Sequence, residues 1–155
     1  MILIAPWSKP LRNGQTNPKN YPYWGDLVKL LPPPVVQVGV DGELQLVEDF
    51  RKNLNLKDLA QLILACNTWI SVDTFFQHYA WSLGKKGVVV WGQSDPNIYG
   101  HAENENLLLN RSFLTSNQFL MWEMIPYRND CWVDPKTVLE SVQKSQGMGG
   151  FENMG

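Results

Sequence analysis

Four short apolar runs punctuate the chain: ILIA at 2–5, VVQVGV at 35–40, TWISV at 68–72 and GVVVWG at 87–92. None alternates polar with apolar residues as a half-wet strand would, so each is expected to be covered on both faces. Between them lie stretches with helical spacing. PYWGDLVKLL (22–31) sets Trp24, Leu27, Val28 and Leu31 on one side and is stopped by Pro32–Pro34. NLKDLAQLILAC opens on Asn55, a good N-cap, and its apolar face is Leu59, Leu62, Ile63 and Cys66. TFFQHYAWSLG ends on Gly84, placed for a C-cap. DPKTVLESVQK has Asp134 at the N-cap and Pro135 at the first helical position. Buried strands alternating with helices imply an α/β fold, a Rossmann-like three-layer sandwich with a mainly parallel sheet. The four runs should lie side by side in it.

A chain of 155 residues is long enough for one domain with a proper core, and no linker or repeat divides it. The domain is expected over residues 1–146, with GMGGFENMG (147–155) as a flexible tail. The net charge is −2 and the 13 Lys and Arg residues are scattered, so there is no nucleic-acid footprint. No apolar run approaches the roughly 18 residues of a membrane span. MILIAPW lacks the basic start and the length of a signal peptide. Cys66 and Cys131 have no metal-ligand spacing and are expected as reduced, buried thiols, which points to a cytoplasmic location.

The chemistry concentrates at ISVDTFFQH (70–78), where a buried strand ends on Asp73–Thr74 and His78 follows one helical turn later. In open α/β sheets, ligands sit beyond the carboxyl ends of the strands, where the strand order reverses. A helix starting there offers free N–H groups and the positive end of its dipole, which suits an anion. Thr74 adds a hydroxyl, and His78 lies on the same side. Asp73 would repel a phosphate, so it is expected to cap the helix or take a sugar hydroxyl. The plainer alternative is a capped structural helix. Elsewhere the signals are weak. His101 reads as a surface histidine, and Asp41, Glu43, Glu48 and Asp49 read as a solvated face without an Asp-x-Asp metal motif.

Downstream, LGKKGVVVWGQSDPNIYG sharpens the reading. Residues 70–100 resemble the donor-binding half of glycosyltransferase family 9, the heptosyltransferase-like enzymes of GT-B fold. The resemblance rests on Asp73, Thr74 and His78, then Leu83–Gly84, then Gly92, Ser94, Asp95 and Pro96. It extends backward through ILIAPWS, KNYPYWGDLVKLL, GVDGE and NLKDLAQLILACNTWISVD, covering about residues 1–110. It implies the C-terminal, donor-binding domain of such an enzyme and a nucleotide-diphosphate sugar as substrate. Thr74, the N–H groups of Phe75 and Phe76, His78 and Lys19 would hold the diphosphate, with Ser8 close by. Glu43 would take the ribose or base, and Asp73 would orient the loop or the donor sugar. No metal or other cofactor is implied. The sequence departs from the family where Phe75–Phe76 replaces Gly-Pro, which narrows the site or offers a stacking surface.

Three functions follow. A glycosyltransferase would need an acceptor-domain protein or self-association, because the family's catalytic base belongs to its other domain; here only Asp73 or Asp95 can be nominated as a catalytic carboxylate. A binding module would hold a nucleotide or nucleotide-sugar without chemistry. A purely structural domain would use the same polar residues as caps and turns.

Overall fold

The computed structural model describes residues 1–119 and 121–145; the tail expected over 147–155 lies outside the described residues. Six strands form one parallel sheet: β1 (Ile2–Ala5), β2 (Val35–Gly39), β3 (Asp49–Lys52), β4 (Thr68–Ser71), β5 (Val88–Trp91) and β6 (Glu105–Leu108). Their order is β3-β2-β1-β4-β5-β6, the doubly wound arrangement in which the winding reverses between the first and fourth strands. The four apolar runs are its four central strands, adjacent as expected.

The helices are α1 (Trp24–Leu30), α2 (Leu56–Ala65), α3 (Phe75–Ser82), the single turn α4 (Pro96–Tyr99) and α5 (Pro135–Gln143). Alternate residues of each strand face opposite layers. Ile2, Ile4, Ile70, Val88 and Val90 pack with Trp24 and Leu27 of α1 and Val138 and Val142 of α5. Leu3, Val36, Trp69, Val89 and Trp91 pack with Leu62 and Ile63 of α2 and Phe76 and Ala80 of α3. Cys66 and Cys131 fall in opposite layers, each buried.

Local signals acted as read. Asn55 Oδ1 accepts from the Asp58 N–H at 2.8 Å, and Asp134 Oδ1 accepts from that of Thr137 at 2.8 Å. Gly84, just past the end of α3, has φ of 75°, a conformation that costs other residues strain. Two elements differ from expectation. DFRK, whose Asp49 was read as part of a solvated acidic face, is the edge strand β3, largely exposed and paired on one side only. The second apolar run also hides a polar residue: Gln37 is fully buried. Its Nε2 donates to Leu44 O at 2.9 Å and its Oε1 accepts from Leu46 N at 2.7 Å, which satisfies the amide and clamps the loop after β2.

The packing beneath β5 leaves no room for growth. A Cβ on Gly87 would come within 2.2 Å of the buried Trp69 ring. Gly87→Ala is therefore expected to lower stability by about 1–3 kcal/mol, measured as a shifted urea midpoint with an unchanged slope.

Candidate functional site

The crevice between the ends of β1 and β4 is where the site residues gather. Parallel pairing sets Ala5 beside Ser71, so the two following loops leave the sheet together. Ser8, buried in the first loop, donates its hydroxyl to Asp73 O at 2.8 Å and so ties the loops to each other. Such a bond contributes about 1 kcal/mol. The long connection to α1 folds back on itself through short polar contacts. Ser8 N donates to Asn20 Oδ1, Asn17 Nδ2 donates to Lys9 O, and Lys19 N donates to Asn17 Oδ1. This returns the Lys19 side chain to the crevice.

There Lys19 Nζ lies 3.3 Å from Asp73 Oδ2, with the Lys side chain 20% exposed and the Asp side chain 6%. Oδ2 receives no well-directed hydrogen bond, so its contact with Lys19 is an ion pair rather than an aligned donor and acceptor. Lys19 also sits 5.0 Å from the Trp122 ring centre and 5.7 Å from that of Tyr99, within cation–π range. Asp73 Oδ1 accepts from Gln77 Nε2 at 3.1 Å. Asp73 is not the helix cap. The N-cap of α3 is Thr74, and its hydroxyl makes no capping bond, which leaves both it and the first-turn N–H groups open at the crevice.

Beside this polar cluster lies a cavity of about 330 Å³. The ends of β1 and β2, the loop carrying Glu43, and Thr74, Phe75 and Phe76 line it. Trp7 forms part of its wall and donates its indole N–H to Leu44 O at 3.0 Å, holding the Glu43 loop from the other side. Glu43 Oε1 accepts from Val40 N at 2.8 Å; loss of hydration raises its pKa, and that bond partly opposes the rise. Phe75 is 57% exposed and stacks on Tyr79, whereas Phe76 turns into the core against Trp69. Of the two, Phe75 is the one with its ring exposed.

The expected residues other than His78 thus form two adjoining groups rather than one. Glu43, Thr74, Phe75 and Phe76 share the cavity, while Ser8, Lys19 and Asp73 share the polar cluster. His78 stands on the exposed side of α3, and its Nδ1 is 2.8 Å from Nε2 of His101. Partial loss of hydration and then the neighbouring His101 lower the pKa of His78, with Asp73 opposing and Lys19 reinforcing. His101 is therefore not an isolated surface histidine. Asp95 is committed elsewhere: Arg111 grips it at 2.8 and 3.1 Å, and its Oδ1 accepts from Asn97 N at 2.9 Å. The Arg111 guanidinium holds its pKa below the usual carboxylate range. Gln77, Tyr99 and Trp122 were not picked out as site residues because no local pattern marks them, and His101 was read as a surface histidine. Only Gln77, four residues after Asp73, had a helical spacing that could have been noticed.

Removing the cation from this cluster exposes the cost of a buried carboxylate. Lys19→Met is expected to lose up to about 3 kcal/mol of stability, and Lys19→Met with Asp73→Asn should recover part of it. A double-mutant cycle by urea unfolding is expected to give a coupling of about 1–3 kcal/mol; additive losses would remove the pair from the account.

The family model described as glycosyltransferase family 9 (heptosyltransferase) matches residues 51–118. That span holds Asp73, Thr74, His78, Asp95 and His101; Ser8, Lys19 and Glu43 lie before it. No curated protein matches the chain. Among solved structures, ADP-heptose LPS heptosyltransferase II of E. coli superposes with a TM-score of 0.66 at 19% identity, over 97% of this chain and 47% of that one. E. coli heptosyltransferase WaaC with ADP gives 0.55 at 16% identity, over 68% and 36%. The dodecameric iron-containing heptosyltransferase TibC, in complex with ADP-D-β-D-heptose, gives 0.54 at 16%, over 89% and 36%. The chain therefore spans about half the length of the first of these and about a third of the others. Among the described residues no three His, Cys, Asp or Glu side chains meet as a metal-ligand set. Residues 51–118 carry the glycosyltransferase family 9 (heptosyltransferase) signature, set in the Rossmann-like fold shared with these GT-B enzymes.

Proposed function

We propose that this domain binds a nucleotide-diphosphate sugar and serves sugar transfer by holding the leaving diphosphate. The observation that carries the reading is Thr74. It begins α3 at the switch point with its hydroxyl and the following N–H groups unspent, on the rim of a cavity large enough for a nucleoside. In this reading the Phe75 and Phe76 N–H groups, Thr74, Lys19 and His78 receive the diphosphate. Glu43 takes ribose hydroxyls or the base, which lies in the cavity with Phe75 available to stack. Asp73 holds Lys19 and the loop in place, and Ser8 locks that loop from below.

Sugar transfer from such a donor breaks the bond between the anomeric carbon and the diphosphate oxygen, so negative charge grows on the leaving group. Donors fixed in advance around that oxygen stabilise the transition state more than the ground state. Lys19 and the helix N-terminus supply this without a metal, and we propose a metal-independent reaction on that ground. Transfer also needs a base for the acceptor hydroxyl. Asp73 is buried and ion-paired, and Asp95 is held by Arg111, so we place the base on a second domain, an acceptor-domain protein or another copy of the chain. The stretch from 98 to 124 exposes Ile98, Leu109, Phe119, Met121 and Met124, apolar surface suited to such a contact. The absence of an uncommitted carboxylate in the polar cluster also favours a second reading, a module that binds nucleotide-sugars without transferring them.

Calorimetry with ADP, GDP and UDP, alongside transfer assays with and without an acceptor-domain protein, separates these readings. Lys19→Ala and His78→Ala are each expected to weaken diphosphate binding by about 1.5–3 kcal/mol, and to lower turnover as well if transfer occurs. Binding lost with no turnover under any pairing supports the non-catalytic module, and no binding by the unaltered chain overturns both readings. Glu43 has a distinct signature. Because its pKa is raised, the folded state resists its ionisation, so stability falls as pH rises from the ordinary carboxylate value through the raised one. Glu43→Gln is expected to flatten that fall, leaving the melting temperature at neutral pH equal or higher while nucleotide affinity drops.

A further inference from the structure

His78 can donate to an anion only if its outward nitrogen carries a proton, and a neutral imidazole has one proton to place. Its Nδ1 is already engaged, 2.8 Å from Nε2 of His101. Two arrangements satisfy that contact. If His78 donates, its Nε2 is bare and can only accept. If His101 donates, Nε2 of His78 carries the proton and points a donor outward.

His101 is held where it is by contacts that do not involve His78. Its ring stacks on Trp81 with centroids 4.4 Å apart and planes 9° from parallel. Trp81 in turn donates its indole N–H to Glu103 Oε1 at 2.8 Å. The main chain of His101 is fixed too, since its carbonyl accepts from Asn106 Nδ2 at 2.8 Å and from Asn104 N at 3.1 Å. The two imidazole planes meet at 81°, and the contact between them is made by one nitrogen of each ring. Lys19, Asp73 and Glu103 complete the charged surroundings of the pair.

We infer that His101 is a positioning residue: its Nε2–H donates to Nδ1 of His78 and thereby keeps the His78 Nε2–H outward as a neutral donor for a diphosphate oxygen. The inference rests on the donor-binding reading of the site, but its first test does not. NMR of the protein with nitrogen-labelled histidine rings, above the pH of imidazole protonation, reports which nitrogen of His78 is protonated in the free protein. The expected result is the Nε2–H form in the unaltered chain, loss of that bias in His101→Leu, and its return in His101→Gln, whose amide N–H can replace the donor. A His78 ring protonated on Nδ1 with bare Nε2, or a tautomer unmoved by His101→Leu, overturns the inference. The second test is ADP affinity. His101→Leu should weaken it about tenfold, the loss of one oriented hydrogen bond, and His101→Gln should recover most of that. Equal loss in both variants overturns the positioning role. If the unaltered chain binds no nucleoside diphosphate while the His78 tautomer follows His101 as stated, the donor-binding reading fails and the assignment of the pair stands.

Discussion

The site depends on β1 lying directly beside β4. These strands are more than sixty residues apart in sequence, yet they pair in register from Ile2 with Thr68 to Ala5 with Ser71. That pairing puts two loop starts at the same height on the carboxyl edge of the sheet, on either side of the place where the winding reverses. Everything with chemical potential then accumulates in one gap. The helix start at Thr74 points into it, the returning connection delivers Lys19 to it, and the loop after β2 closes it from the far side. A one-residue slip of β1 would turn Leu3 and Ile4 to the wrong layers and carry Ser8 out of reach of Asp73.

The strands, their parallel sense and the helix caps were legible because their causes are local. Uniform apolar runs specify burial on both faces, and Asn55, Asp134 and Gly84 satisfy or accommodate backbone groups within a few residues of themselves. The edge strand β3 was not legible. It is four residues long, charged and largely exposed, and what makes it a strand is its pairing with β2 rather than any pattern of its own. Gln37 shows the same limit from the other side. In sequence it interrupts an apolar run, and only the loop folding over it reveals that both ends of its amide are answered.

The site was legible to a similar depth. Asp73 and Thr74 could be placed at a strand end and a helix start, and their place at the switch point followed. Their division of labour could not be read. Whether Asp73 caps the helix or grips a lysine depends on where Lys19 returns, and that is settled by Asn17 and Asn20 in a connection without regular structure. His101 was read as a surface residue because its meaning lies entirely in what stands across from it. The uses of the aromatic residues are set in the same way, by what stands across from each. Trp24, Trp69 and Trp91 fill the core, Trp7 walls the cavity and Trp122 lies over Lys19, and composition cannot sort one use from another.

The buried amide of Gln37 has a consequence for how such a domain can change. It grips the main chain of the loop after β2 from beneath, at Leu44 and Leu46, while Trp7 grips Leu44 from above. The loop is therefore an extension of the sheet and not a free surface segment. Swapping its exposed side chains leaves its path intact, whereas altering its length breaks contacts in the middle of a strand. Variation in what the cavity accepts is channelled into point substitutions along a fixed backbone, and loop grafting from a relative would have to bring the strand with it.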